Sequence, residues 1–209
     1  MAIETNKIAK AIPDEMILVV KRTDLFKTGA WHGLNNTNTR QYLNLIAEKR
    51  QFLHRAQMET NPEYKQIIPY LIFEYNNHYF LMQRKSTASE TRLQNKYSLG
   101  IGGHIREEDI KTNSLFDWAT REFHEEVSYD GALTIEPLGF LNDDSNAVGQ
   151  VHLGCVFLLH GSSDNISIKE EHKSGMLTSL TECAHYKKNM ESWSSIVYDH
   201  LVTHTDSSK

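Results

Sequence analysis

The period of the hydrophobic positions changes several times along this chain, and each change marks an element. "EMILVVKRTDLF" carries a short apolar, β-branched run at 16–20 that reads as a buried strand. "TRQYLNLIAEKRQFLHRAQ" repeats apolar residues at helical spacing through Tyr42, Leu43, Ile46 and Phe52, so one helix is expected across it, closed before Pro62. "QIIPYLIFEYNNHYFLMQR" sets two β-rich runs on either side of Asn76 and Asn77, a hairpin signal. The polar "KSTASETRLQNK" predicts a loop and "YSLGIGGHI" a short strand running into glycines. Residues 114 to about 127 then predict a helix with Ser114 as its N-cap. Strand-like runs follow at "TIEPLGFLN", "VHLGCVFLLHG" and "ISIK", and residues 178–202 read as a helical tail carrying Trp193 and Tyr198. Strands and helices are interspersed without an internal repeat, which predicts a mixed sheet covered by helices on its faces.

Composition narrows the partners. The 209 residues suit one domain, or one domain with an extension, and a net charge of -5 gives no basic field for wrapping nucleic acid. The only apolar run near the start, 16–20, is too short for a signal-peptide core or a membrane span, so a soluble, cytoplasmic protein without a membrane partner is expected. Leaving that aliphatic strand exposed would be costly, so it must pack on the main sheet or across a homodimer. Cys155 and Cys183 form no CxxC, so neither a disulfide framework nor a thiolate zinc site is read. The 11 histidines show no HxH or HExxH spacing that would mark a zinc site.

The candidate chemistry lies in "ATREFHEEVS". At 100° per residue Glu122, Glu125 and Glu126 share a face, and Phe116, Ala119, Phe123 and Val127 form the neighbouring apolar stripe. Glu122 and Glu126 are a like-charge pair one turn apart, which should destabilise the helix by a few tenths of a kcal/mol unless something neutralises it. A divalent cation would do so, and an oxygen-only donor set selects Mg²⁺ or Mn²⁺. The plainer reading is a solvated acidic face with Arg121 paired to Glu125. The preceding "LGIGGHI" favours the metal, because Gly100, Gly102 and Gly103 let backbone carbonyls approach a ligand.

Together, "GGHIREEDIKTNSLFDWATREFHEEVS" resembles the Nudix box: Gly, five residues, Glu, seven residues, then Arg-Glu-any-any-Glu-Glu-any-Gly. Residues 121–126 match its core without substitution, and "YFLMQRK" and "YSLGIGGHI" resemble the strands before it. The expanded box, with "KQIIPYLIF" ahead of it, is similar to a branch described as predicted MutT-like phosphoesterases. The resemblance implies a Nudix α/β/α sandwich with a mixed central sheet over residues 66–209 and a strand-helix extension at 1–65. It also implies Mg²⁺- or Mn²⁺-dependent hydrolysis of a small-molecule diphosphate, with the Gly103 carbonyl, Glu122, Glu125 and Glu126 binding metal. Glu122 is the alternative base, and Arg121 orients carboxylates. A further acid about forty residues on would be Glu170 or Glu171. Arg84 and His104 are candidates for touching an anionic substrate, as are Lys85 and Lys96. The box departs from the pattern by about four extra residues between Gly103 and Arg121, so Glu107, Glu108 and Asp109 all compete for the first acidic position. Ser128 stands where glycine is expected.

Three other readings are open. An isopentenyl-diphosphate-isomerase-like enzyme would need a cysteine at a position where Cys155 does not lie. A non-catalytic module sensing a nucleotide or nucleotide sugar would have lost its carboxylates. An interaction protein would explain residues 1–65 but not the glutamates. The substrate is not legible, because the loop at 85–96 and "DDSNAVGQ" shape a pocket without a readable code.

Overall fold

The computed structural model describes residues 15–85, 93–110, 115–169 and 172–205; for 115–117, 172 and 205 only the backbone is described. The chain centres on β4 (Tyr64–Tyr75) and β10 (His152–Gly161), which pair in parallel from Gln66↔His152 to Glu74↔His160. Both strands are near-continuous apolar runs because both of their faces are covered. Ile67, Leu71 and Phe73 of β4 pack with Leu153, Cys155 and Phe157 of β10 against Trp118, Ala119 and Phe123 of α4 (Leu115–Glu126). Tyr70, Ile72, Val156 and Leu158 point the other way, to Val197, Tyr198 and Leu201 of α7 (Ser192–Thr205). Helix, sheet and helix thus form the expected three-layer sandwich with a mixed sheet.

One edge of β4 is tiled by three partners in succession. β1 (Met16–Lys21) pairs antiparallel with Tyr64–Gln66, β7 (Gly100–Gly102) with Tyr70–Ile72, and β5 (His78–Arg84) with Glu74 and Tyr75. Pro69 falls between the first two registers, where the missing N–H breaks no ladder. The hairpin turns on Asn76 and Asn77 at φ 49° and 61°, the left-handed geometry that asparagine tolerates in a two-residue turn. Beyond β10 the sheet continues through β9 (Leu133–Asn142) to β2 (Gly33–Asn35).

The described residues before β4 pack on this body. β1 supplies Leu18 and Val20 to the α4 side of the core. Ile46 of α2 (Thr39–Lys49) is buried there too, and Tyr42 meets Phe140 at 5.3 Å.

Two expectations change. The helix from Thr39 stops at Lys49, and Phe52 lies in β3 (Gln51–His54), which pairs with β1 through Met16↔His54 and Leu18↔Phe52. A partner strand distant in sequence outweighs the helical spacing. The tail likewise begins later: β12 (His172–Ser179) runs along β5 before α6 (Leu180–Cys183), a 3₁₀ stretch and α7. As an edge strand, β12 is mostly exposed and shows little apolar pattern. Ser114, expected as an N-cap, lies outside the described residues.

Candidate active site

β7 delivers the glycine loop to the side of α4. Leu18 N–H donates to the Ile105 carbonyl at 2.8 Å, fixing the loop on β1. A methyl added at Gly103 would collide with Glu122 Oε1, so the glycine lets the buried carboxyl approach the loop as closely as it does. Glu122 is buried, and its carboxyl is pushed up to about 7 by burial and by Glu125 and Glu126, against the pull of Arg121 and Arg106. Glu126 is half-buried and Glu125 exposed.

Arg121 holds the acids in order. Its guanidinium bonds Glu125 one turn on, lies 3.7 Å from Glu122 and donates to Asp109 Oδ2 at 2.8 Å. The same oxygen accepts Trp118 Nε1–H at 3.2 Å and the Arg106 N–H at 3.1 Å. Asp109, and neither Glu107 nor Glu108, therefore faces the box arginine. Five residues separate it from Gly103, as the box has it, so the extra residues lie between Asp109 and Arg121.

At its C-terminus α4 passes directly into β8 (Val127–Tyr129), which pairs with β11 (Ile166–Ile168). Ser128 is extended strand, which explains why no glycine is needed. Lys169 closes the helix end: its N–H donates to the Glu126 carbonyl at 3.0 Å and its ammonium to that of His124. Glu170 and Glu171 lie outside the described residues, flanked by Lys169 and by His172, which pairs with Arg84. Arg84 donates to Glu191 at 2.9 Å and feels the charge of Glu126. Trp118 is core, and Trp31 packs edge-on against Tyr42 at 5.4 Å.

His104 turns away from α4. Its Nε2 lies 2.7 Å from Gln66 Oε1 and 3.4 Å from His152 Nε2. With Glu59, just past α3 (Arg55–Met58), these histidines place one ligand atom each within 4.8 Å of one another. Among the described residues this is the group of three potential ligands gathered so tightly; the α4 glutamates are spread by Arg121. Glu59 and His152 were not read from sequence, because residues 48 apart meet only through strand pairing.

The "DDSNAVGQ" segment is internally bonded. Asp144 accepts from Arg22, from Lys65 Nζ at 2.7 Å and from Asn142 at 3.2 Å. Burial opposes ionisation of Asp144, but those donors hold its carboxyl well below the usual range. Lys65 is fully buried and also donates to the carbonyls of Gly149 at 2.7 Å and His152 at 3.2 Å.

No protein-family model matches the chain. It is 32% identical over 207 residues to protein YmaB of Bacillus subtilis (strain 168), covering 90% of this chain and 98% of that one. It is 31% identical to Tm1382, a structure assigned to the Nudix hydrolases, with 90% of this chain and 99% of that chain covered at a TM-score of 0.75. The chain belongs to the Nudix hydrolases. The Nudix domain of Shewanella oneidensis NrtR, solved with ADP-ribose, shares the fold at 14% identity and a TM-score of 0.53, over 68% of this chain and 88% of that one. Within the Nudix fold here both cysteines are interior: burial raises the Cys155 thiol far above its usual value and Cys183 to about 11. Burial of this kind disfavours the thiolate that a cysteine-dependent isomerase would use. No helix of the described residues is long and apolar enough to cross a membrane.

Proposed function

We propose that this Nudix protein hydrolyses the diphosphate linkage of a nucleoside diphosphate derivative or related organic pyrophosphate, using Mg²⁺ or Mn²⁺. The observation that carries the reading is the close approach of the Glu122 carboxyl to Gly103, which brings one carboxylate of α4 against the glycine loop. Gly103 would offer its carbonyl, and Glu122, Glu125 and Glu126 their oxygens, a donor set suited to a hard ion. A divalent ion held there supplies charge neutralisation for the diphosphate and acidifies water for attack at phosphorus.

The side chains do the rest. If Glu122 is not taken up as a ligand, it is the alternative base, taking the proton lost by water as the water oxygen adds to phosphorus and the bridging P–O bond breaks. Asp109 fixes Arg121, which in turn keeps Glu125 in line on the helix. Arg84, beside Glu126, binds the anionic substrate, and Glu170 or Glu171 supplies a further acid between Lys169 and His172. The 1–65 segment acts as an extension of the 66–209 hydrolase body rather than a separate unit.

The test is phosphate release from a panel of diphosphate compounds with Mg²⁺, with chelator, and with Glu126→Gln as the blank. ADP-ribose, the ligand of the Shewanella domain, belongs in that panel beside dinucleoside polyphosphates and non-nucleotide diphosphates. Metal-dependent turnover absent from the variant is the expected result. Metal-dependent ligand binding without turnover would favour a sensing module.

A further inference from the structure

We propose that Glu59, His104 and His152 form a second metal site, for a borderline divalent ion of the zinc class, which ties the segment before β4 to the glycine loop. The donors come from three distant parts of the chain. Glu59 follows α3, His104 is the residue after Gly103, and His152 opens β10 beside Gln66.

Hydrogen bonding sets the tautomers. His152 Nδ1 lies 2.7 Å from the Val148 carbonyl, which only accepts, so Nδ1 carries the proton and Nε2 directs its lone pair at His104. Gln66 donates its amide to the Met58 carbonyl at 3.3 Å, which aims Oε1 at His104 Nε2. Two acceptors, Gln66 Oε1 and His152 Nε2, thus face the single proton on His104 Nε2, with a Glu59 carboxylate oxygen within 4.8 Å of the histidine ligand atoms. A dication can take that place if the His104 proton moves to Nδ1, a tautomer change that releases no proton.

Distance and donor type agree on the ion. Two imidazole nitrogens bound tetrahedrally at zinc–nitrogen lengths lie about 3.3 Å apart, close to the 3.4 Å between His104 and His152 Nε2. Imidazole with carboxylate suits zinc-like ions and disfavours Mg²⁺, so the ion differs from that of the α4 glutamates. Arg55 competes for Glu59 through Nε at 2.9 Å, but it also bonds Glu15 at 2.5 Å and keeps a partner when Glu59 turns to a metal.

Chelator-treated full-length protein titrated with Co²⁺ reads the site optically. One equivalent should produce the intense visible bands of four-coordinate cobalt, displaced by Zn²⁺ and retained in Glu126→Gln, so that failure of the hydrolase reading leaves this test intact. Glu59→Gln, at a half-buried position, should weaken cobalt binding at least tenfold, and His152→Gln should abolish the bands. At a hundredfold excess over Kd, Zn²⁺ should raise Tm by about 5 to 10 °C in the wild type and far less in Glu59→Gln. Cobalt binding unchanged in Glu59→Gln, bands lost in Glu126→Gln, or no stoichiometric bands at all would each overturn the site. If His152→Gln fails to fold, Glu59→Gln decides alone.

Discussion

Asp144 and Glu122 are both carboxylates taken largely out of water, and their acidities move in opposite directions. Three donors converge on Asp144 and keep it charged. Glu122 has two neighbouring glutamates, and its nearest cation, Arg121, is shared with Asp109 and Glu125. The first arrangement is complete and holds two strands and a loop together. The second lacks positive charge, which is the condition under which an added cation binds. The difference separates a structural carboxylate from a functional one more clearly than burial does.

The largest effect that would break this contrast is on turnover. Glu126→Gln keeps shape and removes a charge, and turnover should fall by about two to four orders of magnitude, with Tm in chelator unchanged or raised. Wild-type turnover would sink the site assignment. On the structural side, Lys65→Met removes a buried partner of Asp144 and should cost about 3 kcal/mol, a Tm loss of roughly 6 to 12 °C read by calorimetry. A loss under 2 °C would mean the clasp is not structural.

The pH dependence of stability sharpens the contrast further. Glu122 has a raised folded pKa, so its protonated form stabilises the fold fully below pH 4.5, and that contribution is lost as pH rises towards about 7. In chelator, Glu122→Gln should remove this fall, worth about 3 kcal/mol at most, in denaturant melts at pH 5 and pH 8. Asp144 has the opposite sign: its contribution is present above its unfolded value near 4 and fades as acid is added. Equal slopes in wild type and Glu122→Gln would remove the distinction. The smallest effect expected is from Asp109→Asn, which keeps the hydrogen-bond geometry but weakens the hold on Arg121; kcat should drop by about tenfold with Tm nearly constant.

Much of this was legible in sequence because it is local. The asparagine turn, the α4 stripe and residues 121–126 each depend on neighbours a few positions away, and the sheet-with-helices architecture follows from them. β3 and β12 were not legible: Phe52 sits at helical spacing yet pairs with Leu18, and β12 has too few buried positions to show a period. In the site, Asp109 was one of three equal candidates until Arg121 and Trp118 were seen to converge on it. His104, read as a substrate contact, has His152 and Gln66 as its neighbours, which the local sequence does not announce.

The direct passage of α4 into β8 governs where this family's box can change length. With Val127 already paired to Ile168 and the Glu126 carbonyl closed by Lys169, one residue added there would rotate every glutamate by 100° and reverse the faces of β8. Upstream, Asp109 is held to α4 only through side-chain bonds from Arg121 and Trp118, which do not fix the number of residues between Asp109 and Leu115. A loop grafted to alter the enzyme should therefore enter before Leu115 rather than after Glu126.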